Sequence, residues 1–198
     1  MARRMVSPAY HRPRSRFDFA LRPPSPVVVS PYDPAWPALF QALRDRLTAA
    51  LGALAVEIHH VGSTAVSGLA AKPIIDTDVV IAAASHLPLA AERLTALGYV
   101  DKGEQGVAGR RAFRPPADAP AHHLYVCVQD SPELTRHLAF RDHLRADPET
   151  CAAYAQLKLA LAERFGSDRE SYTAAKTTFV EATLRACASF PVPADAGC

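Results

Sequence analysis

The sequence has few cysteines, and none has the spacing that makes cysteine informative. Cys127, Cys151, Cys187 and Cys198 form no Cys-x-x-Cys pair and have no histidines at zinc-ligand spacing. The chain also lacks an apolar run long enough to span a bilayer, and its N-terminus lacks the apolar core of a signal peptide. These absences argue against zinc-finger and membrane-spanning proteins, and we expect a reduced, cytoplasmic protein with no membrane partner.

A strong overall charge is missing too. The net charge is +2 over 198 residues, of which 49% are hydrophobic and 21% charged, as in ordinary soluble domains. Residues 1–26 hold six of the 22 basic residues but one of the 20 acidic residues, which leaves 16 basic and 19 acidic residues in 27–198, a net charge of −3. We interpret 1–26 as a disordered, basic, Pro/Arg-rich tail and 191–198 as a flexible C-terminus. The tail is more simply a solvated extension than a nucleic-acid contact, so no nucleic-acid partner is expected.

Hydrophobic periodicity predicts an α+β domain over residues 27–190. The strand-rich half, 27–130, contains predicted strands at 27–29, 56–61, 74–81, 99–102, 110–114 and 124–128, with helices after Asp33 and over 86–97. The helical half, 131–190, has helix starts at Ser131-Pro132-Glu133 and Asp147-Pro148-Glu149, each a cap, a proline and an acid. Strands followed by helices favour α+β over a repeating βαβ arrangement.

Two carboxylates interrupt the most apolar strand. Asp76 and Asp78 point to the same face of that strand, because side chains alternate between faces. Neighbouring carboxylates repel each other unless a cation lies between them, and Mg²⁺ prefers such oxygen ligands together with substrate phosphates. The Gly62-Ser63 turn just upstream can offer backbone N–H groups to phosphate. This combination predicts metal-assisted phosphoryl or nucleotidyl chemistry.

Two lysines sit in apolar stripes of successive predicted helices. Lys158 follows Tyr154 by four residues, and Lys176 follows Tyr172 by four residues. One interpretation is that each aliphatic stem covers apolar surface while the ammonium group stays in water. The other is that both ammonium groups face a cleft that binds phosphate. Lys72, just before the strand that carries Asp76 and Asp78, is likewise either a phosphate contact or a surface charge.

Four segments carry a resemblance: His60-Val61-Gly62-Ser63-Thr64-Ala65-Val66, Lys72-Pro73-Ile74-Ile75-Asp76, Phe140-Arg141-Asp142-His143-Leu144-Arg145, and Tyr172 with Lys176. In this order they resemble the GrpB family, within the DNA polymerase β-like nucleotidyltransferase superfamily. The likeness covers about residues 27–185. It implies a nucleotidyltransferase-like fold with a mixed β-sheet, flanking helices and a C-terminal helical half. A fold alone does not assign an activity.

The resemblance also implies roles for single residues. Asp76 and Asp78 match the carboxylates that hold divalent ions, Mg²⁺ or Mn²⁺, which clamp the triphosphate and activate an attacking hydroxyl. Gly62 and Ser63 match the phosphate-binding turn. The superfamily's third carboxylate, a base or metal ligand, is missing from the predicted strand 122–128. His123 on that strand is our candidate for the proton acceptor.

Arginines supply further candidates. Arg110 and Arg111 flank a glycine-rich loop that can close over substrate, and strand alternation puts only one of them on the cleft face. We take Arg111 as the phosphate-binding candidate, beside Lys72, Lys158 and Lys176. Arg141 and Asp142 are expected to form a structural ion pair.

The function hypothesis is a metal-dependent nucleotidyltransferase acting on a nucleoside triphosphate and an unknown acceptor. The alternative is a catalytically degenerate module that binds a nucleotide or assists the folding of a partner such as dephospho-CoA kinase, to which some GrpB-like domains are fused. The missing third carboxylate is the feature that keeps the alternative open.

Overall fold

The fold is built on a five-stranded mixed sheet, seen in a computed structural model that describes residues 26–189. The strand order is β1-β2-β5-β4-β3, with β2 and β5 parallel and all other neighbours antiparallel. The strands are β1 Glu57–Val61, β2 Ile75–Ile81, β3 Val100–Asp101, β4 Arg110–Arg114 and β5 His122–Val128. Residues 1–25 of the tail predicted to be disordered, and the C-terminus predicted to be flexible, lie outside the described residues.

In residues 26–189, five α-helices flank the sheet. They are α1 Trp36–Leu51, α2 Leu87–Ala96, α3 Pro132–Ala146, α4 Pro148–Phe165 and α5 Arg169–Ser189. The two predicted starts in the helical half are confirmed, since Ser131 Oγ accepts from the Leu134 N–H and Asp147 Oδ1 from the Glu149 and Thr150 N–H groups. Each such cap stabilises a helix by about 1 kcal/mol. Among residues 26–189, no helix combines the length and apolarity needed to cross a membrane.

The two faces of the sheet have different neighbours. Helices α1 and α2 cover one face, where a core forms around Leu47, Leu94, Val79 and Val126. Helix α3 packs on the other face, where Leu134 contacts the apolar end of β2 and β5. Helices α4 and α5 pack beside α3. The polar ends of β2 and β5 therefore face the helical half of the chain.

The α+β prediction with a mixed sheet is confirmed, and three local predictions need correction. Val27–Val29 is not a strand: only Ser30 pairs, with Ala71, because no full neighbouring strand runs beside this segment. Helix α1 begins at Trp36 and not directly after Asp33, because Asp33 Oδ1 accepts the Ala35 N–H and this hydrogen bond closes a turn before the helix. Strand β3 is only two residues long.

Candidate active site

The turn after β1 lies directly against Asp76. Val61, the last residue of β1, stands opposite Asp76 in the antiparallel β1–β2 pair. Gly62 follows with a φ of +69°, and a Cβ atom added there would lie 2.9 Å from Cγ of Asp76. Only glycine lets the backbone pass this close to the carboxylate at that φ. The structure thus brings Gly62 and Ser63 to the carboxylate strand.

Asp76 and Asp78 share a face but differ in exposure. The Asp76 side chain is 30% exposed and lines a cavity, whereas the Asp78 side chain is 0% exposed beneath it. Asp78 Oδ1 is buried and accepts no hydrogen bond from residues 26–189. A buried carboxylate oxygen without a partner is costly, so this atom favours a nearby cation.

A histidine covers each carboxylate. His123 pairs with Asp76 in the β2–β5 register, and its Nδ1 lies 2.7 Å from Asp76 Oδ1. His137 of α3 lies over Asp78, with 2.7 Å between Nδ1 and Oδ2. The other ring nitrogen of His137 is 3.2 Å from Glu133 Oε1. Burial lowers the pKa of His137, but the hydrogen bond to Asp78 and the charges of Asp78 and Glu133 outweigh it, so the net shift is upward.

The cavity has a volume of about 480 Å³ and lies between this sheet face and helices α3, α4 and α5. Ligand pockets commonly measure roughly 300–1,000 Å³, so this volume is typical of a small-molecule site. Asp76 and His123 line it from the sheet. Six cationic side chains line it as well. Arg110 and Arg136 form ion pairs with carboxylates, and we call the other four the cation cluster: Lys72, Lys158, Lys176 and Arg169.

The cation cluster is only partly neutralised, by the charge of Asp76 near Lys72 and Lys176. None of its members forms an ion pair with a carboxylate within the described part of the chain. Burial lowers the pKa of Lys72 and of Lys176, attraction to Asp76 opposes both shifts, and repulsion from Arg169 adds to both. An excess of positive charge around a cavity favours an anionic ligand carrying several charges.

Lys158 is the most buried member of the cluster, with a relative exposure of 2%. Its Nζ donates to Ser63 Oγ at 2.9 Å and to the carbonyl oxygen of Ala70, and lies 4.6 Å from the centre of the Tyr154 ring. Burial, assisted by repulsion from Lys176, lowers the pKa of Lys158 to about 7. Lys158 therefore ties helix α4 to the glycine–serine turn.

Of the two arginines on β4, Arg110 is the one that lines the cavity. Its guanidinium lies 4.6 Å from the centre of the Tyr125 ring, and its Nη1 is 3.5 Å from Glu133 Oε1. Arg111 points to the opposite face and pairs with Asp101 at 2.6 Å. The structure therefore does not bring Arg111, our phosphate-binding candidate, to the cavity, because strand alternation places its neighbour there.

Two arginines of α3 donate hydrogen bonds to backbone carbonyl groups on either side of the Gly62-Ser63 turn. Arg141 Nη1 donates to the His60 carbonyl oxygen at 3.1 Å, and Arg145 Nη2 donates to the Ala65 carbonyl oxygen at 2.8 Å. Arg141 also pairs with Asp142 at 2.7 Å, as the sequence predicts. These contacts bracket the turn at both ends, which gives the Phe140–Arg145 motif a positioning role.

Sequence analysis missed His137, Glu133 and Arg169 as site residues. A signal for the first two was present: Glu133, His137 and Arg141 recur every four residues and so share one face of α3. That Asp78 lies beneath this face depends on tertiary packing across 59 residues of sequence. For Arg169, at the start of α5, no sequence signal was available.

The residues fit a divalent ion that is bound by protein carboxylates and by the phosphates of a ligand. Among residues 26–186, whose side chains the structure describes, no group of three or more His, Cys, Asp or Glu is arranged to hold a metal alone. Asp76 and Asp78 can supply two ligands, and Mg²⁺ is commonly held by one or two carboxylates plus substrate phosphates. The unpaired Oδ1 of Asp78 is the atom that most favours such an ion.

Comparison with known proteins assigns most of the chain to one protein family. A family model described as GrpB protein matches residues 26–186. UPF0157 protein YqkA of Bacillus subtilis (strain 168) is 36% identical over 163 residues, which is 82% of this chain and 48% of that protein. The chain thus spans about half the length of that relative.

Solved structures agree at the level of the fold. The crystal structure of conserved protein GrpB from Enterococcus faecalis superposes with a TM-score of 0.71 at 32% identity, covering 80% of this chain and 98% of that one. Cid1 in complex with its short product ApU gives a TM-score of 0.50 at 16% identity, covering 69% and 43%, which shows a nucleotidyltransferase-like fold alone. A dephospho-CoA kinase of Mycolicibacterium paratuberculosis (strain ATCC BAA-968 / K-10) matches over 44% of its length at 31% identity, and this partial match is no evidence of a partnership.

Proposed function

The chain belongs to the GrpB family, and we propose that it binds a nucleoside triphosphate together with a divalent cation and transfers the nucleotidyl group to an acceptor. One observation carries this proposal: a single cavity is lined by Asp76 and by four cations without ion-pair partners, and the buried Asp78, with an unpaired oxygen, lies beneath Asp76. A metal–polyphosphate ligand complements both sets of charges at once.

Each residue has a defined part in the proposed reaction. Asp76 and Asp78 would hold Mg²⁺ or Mn²⁺, which supplies Lewis-acid stabilisation of charge on the transferring phosphoryl group. Gly62 allows the backbone to approach the phosphates, while Ser63 and Lys158 orient the turn. Lys72, Lys176 and Arg169 surround the leaving pyrophosphate with positive charge, an electrostatic contribution that grows where water is excluded.

Calorimetric titration with ATP, CTP, GTP and UTP tests this proposal, with and without Mg²⁺ or Mn²⁺. We expect metal-dependent binding that the double variant Asp76→Asn/Asp78→Asn abolishes, because neutral amides hold a divalent ion poorly. Lys102→Met, a change at an exposed lysine outside the cavity, is the matched control and should bind normally. Absence of binding for every nucleotide would reject the proposal.

The absence of a carboxylate on β5 favours a second candidate, a module that binds a nucleotide without turnover. In that case a partner, for example dephospho-CoA kinase, would use the bound state. Metal-dependent release of pyrophosphate separates the two functions. Asp78→Asn should stop that release while the fold persists, and wild-type protein that binds but never releases pyrophosphate would favour the module.

A further inference from the structure

Ser63 and Lys158 bring a hydroxyl group and an amine into contact at the wall of the cavity. Their Oγ and Nζ atoms lie 2.9 Å apart, within the roughly 2.6–3.2 Å over which a base can take a proton from a nucleophile. Ser63 begins the helical turn Ser63–Ala65 that follows Gly62, and it is only partly buried. A ligand in the cavity can therefore reach the hydroxyl group that Lys158 contacts.

Two neighbours orient Lys158 toward Ser63. The carbonyl oxygen of Ala70 accepts an N–H of Lys158, and the centre of the Tyr154 ring lies 4.6 Å from Nζ. A neutral amine carries one lone pair, and a carbonyl oxygen has no proton to donate to it. The lone pair is therefore left for the hydroxyl group of Ser63, which becomes the donor in this contact once Lys158 loses its proton.

The groups around Lys158 make its neutral form accessible. Burial is the main reason that the pKa of Lys158 falls to about 7, repulsion from Lys176 and Lys72 adds to the shift, and Cys151 opposes it. Tyr154 hydrogen-bonds Ser63 and stays a neutral phenol, because burial raises its pKa. A lysine with a lowered pKa beside a serine is one of the arrangements that activate a nucleophile.

The other aliphatic hydroxyl groups that line the cavity in the described part of the chain face carbonyl oxygens instead of a base. Thr64 Oγ1 donates to the Ile74 carbonyl oxygen at 3.2 Å. Thr173 and Thr177 each donate to the backbone carbonyl oxygen four residues earlier, at 2.8 Å and 2.9 Å. A carbonyl oxygen cannot remove the proton that it accepts, so Ser63 is the hydroxyl group with the geometry of a nucleophile.

We propose that Ser63 accepts the terminal phosphoryl group of a nucleoside triphosphate bound in the cavity, with Lys158 as the general base. The inference rests on the triphosphate site of the proposed function and adds a self-modification to it. The bond between Ser63 Oγ and the γ-phosphorus forms, the bond from that phosphorus to the β–γ bridging oxygen breaks, and a nucleoside diphosphate leaves. The hydroxyl proton moves to Nζ of Lys158.

The terminal phosphate is the group that the surrounding charges favour. Lys72 and Lys176 act electrostatically on Lys158, so the cation cluster gathers beside Ser63, where the proposed function holds the pyrophosphate end of the ligand. A phosphoserine carries about two negative charges and three strong acceptor oxygens, which the cluster would bind. Because it would occupy the positive charge that a triphosphate needs, phosphorylation of Ser63 should switch nucleotide binding off.

The test incubates the full chain and Mg²⁺ or Mn²⁺ with ATP that is radiolabelled on either the γ- or the α-phosphate. We expect protein-bound label from γ-labelled ATP alone, placed at Ser63 by mass spectrometry of peptides and lost in Ser63→Ala. Ser67→Ala changes an exposed serine of the same connection that does not line the cavity, and this matched control should keep the label. Label from the α-phosphate at Ser63, label on another residue in its place, or no label would overturn the proposal.

Lys158→Arg separates a general base from a merely electrostatic contact. Arginine keeps the charge but stays protonated, so labelling should fall by roughly 100-fold or more, the scale of general-base catalysis. In the wild type at saturating ATP, the labelling rate should rise with pH, with a midpoint above about 7 because bound phosphates raise the pKa of Lys158. A rate that does not change between about pH 6 and pH 9 would overturn the role of Lys158, even if the variant failed to fold.

The outcomes for this inference and for the proposed function are distinguishable, because labelled protein and released pyrophosphate are separate readouts. Label from the γ-phosphate at Ser63 without release of pyrophosphate would uphold the inference and reject nucleotidyl transfer. Metal-dependent binding and release of pyrophosphate without labelled protein would do the reverse.

Discussion

Lys158 is a buried ammonium group whose hydrogen-bond acceptors are neutral. Burying a charge without a counter-charge is costly, and proteins commonly lower that cost by releasing the proton. Burial, helped by Lys176 and Lys72 and opposed by Cys151, brings the pKa of Lys158 to about 7. An anionic ligand in the cavity supplies the missing counter-charge, so ligand binding and protonation of Lys158 should favour each other.

The first prediction concerns binding of inorganic tripolyphosphate between pH 6 and pH 9. Because Lys158 is charged below about pH 7 and neutral above it, affinity should fall as pH rises, by at most about tenfold per pH unit for one proton. Calorimetry in two buffers of different ionisation enthalpy should detect proton uptake on binding near pH 8. Lys158→Met should lose that component of the uptake, whereas Lys102→Met should retain it.

Stability of the unliganded protein should change with the opposite sign. Unfolded Lys158 keeps its ordinary pKa of 10.5, so between about pH 7 and pH 10.5 the unfolded chain binds more protons. The contribution of Lys158 to unfolding free energy therefore rises with pH in this window. The slope isolated by comparison with Lys158→Met should be positive, and a zero or negative slope would contradict a lowered pKa.

At the scale of elements, helices were predictable where local chemistry decides them. Ser131 and Asp147 cap α3 and α4 as their sequence contexts indicate. A strand needs a neighbour, and the apolar run Val27–Val29 lacks one, which residue alternation cannot reveal. Contacts such as His137 with Asp78 join a helix to a strand, so no local pattern specifies them. The carboxylate strand and its turn were predictable because they lie within one short segment.

The turn between β1 and β2 is the element on which the proposed site depends most. This connection covers residues 62–74 and contains Gly62 and Gly68, with φ angles of +69° and +77°. A Cβ atom at Gly62 would collide with the Asp76 side chain, whereas a Cβ atom at Gly68 meets nothing within 4 Å. A substitution at Gly68 would therefore introduce backbone strain alone, whereas one at Gly62 would add a collision with the Asp76 carboxylate.

Substituting each glycine by alanine tests this distinction. Both variants place an L-residue at positive φ, at a cost of roughly 1–2 kcal/mol. Gly62→Ala should lose more unfolding free energy than Gly68→Ala in urea titrations, and it alone should weaken metal-dependent nucleotide binding, because Asp76 must move. Equal effects of the two substitutions on nucleotide binding would show that contact between the turn and Asp76 is unimportant for the site.

At the scale of the whole molecule, positive charge has two separate locations. Six arginines lie within residues 1–26, while residues 27–198 carry a net charge of −3. The described part of the chain nevertheless concentrates six cationic side chains around one cavity, and the four of the cation cluster form no ion pair there. An acidic body repels long polyanions, whereas a cavity of about 480 Å³ admits a single triphosphate. Binding of RNA and binding of tripolyphosphate should therefore depend on different parts of the chain.

Removal of residues 1–26 and the substitution Lys176→Met should have complementary effects. Any salt-sensitive RNA binding should disappear with the tail, because contacts between basic residues and backbone phosphates weaken as the salt concentration rises. Tripolyphosphate binding should survive the truncation, since the family match begins at residue 26 and the cation cluster is intact. Lys176→Met in the full chain should weaken tripolyphosphate binding and leave RNA binding unchanged. RNA binding that persists in the truncated protein would instead place a nucleic-acid surface on the folded domain, where the charge distribution predicts none.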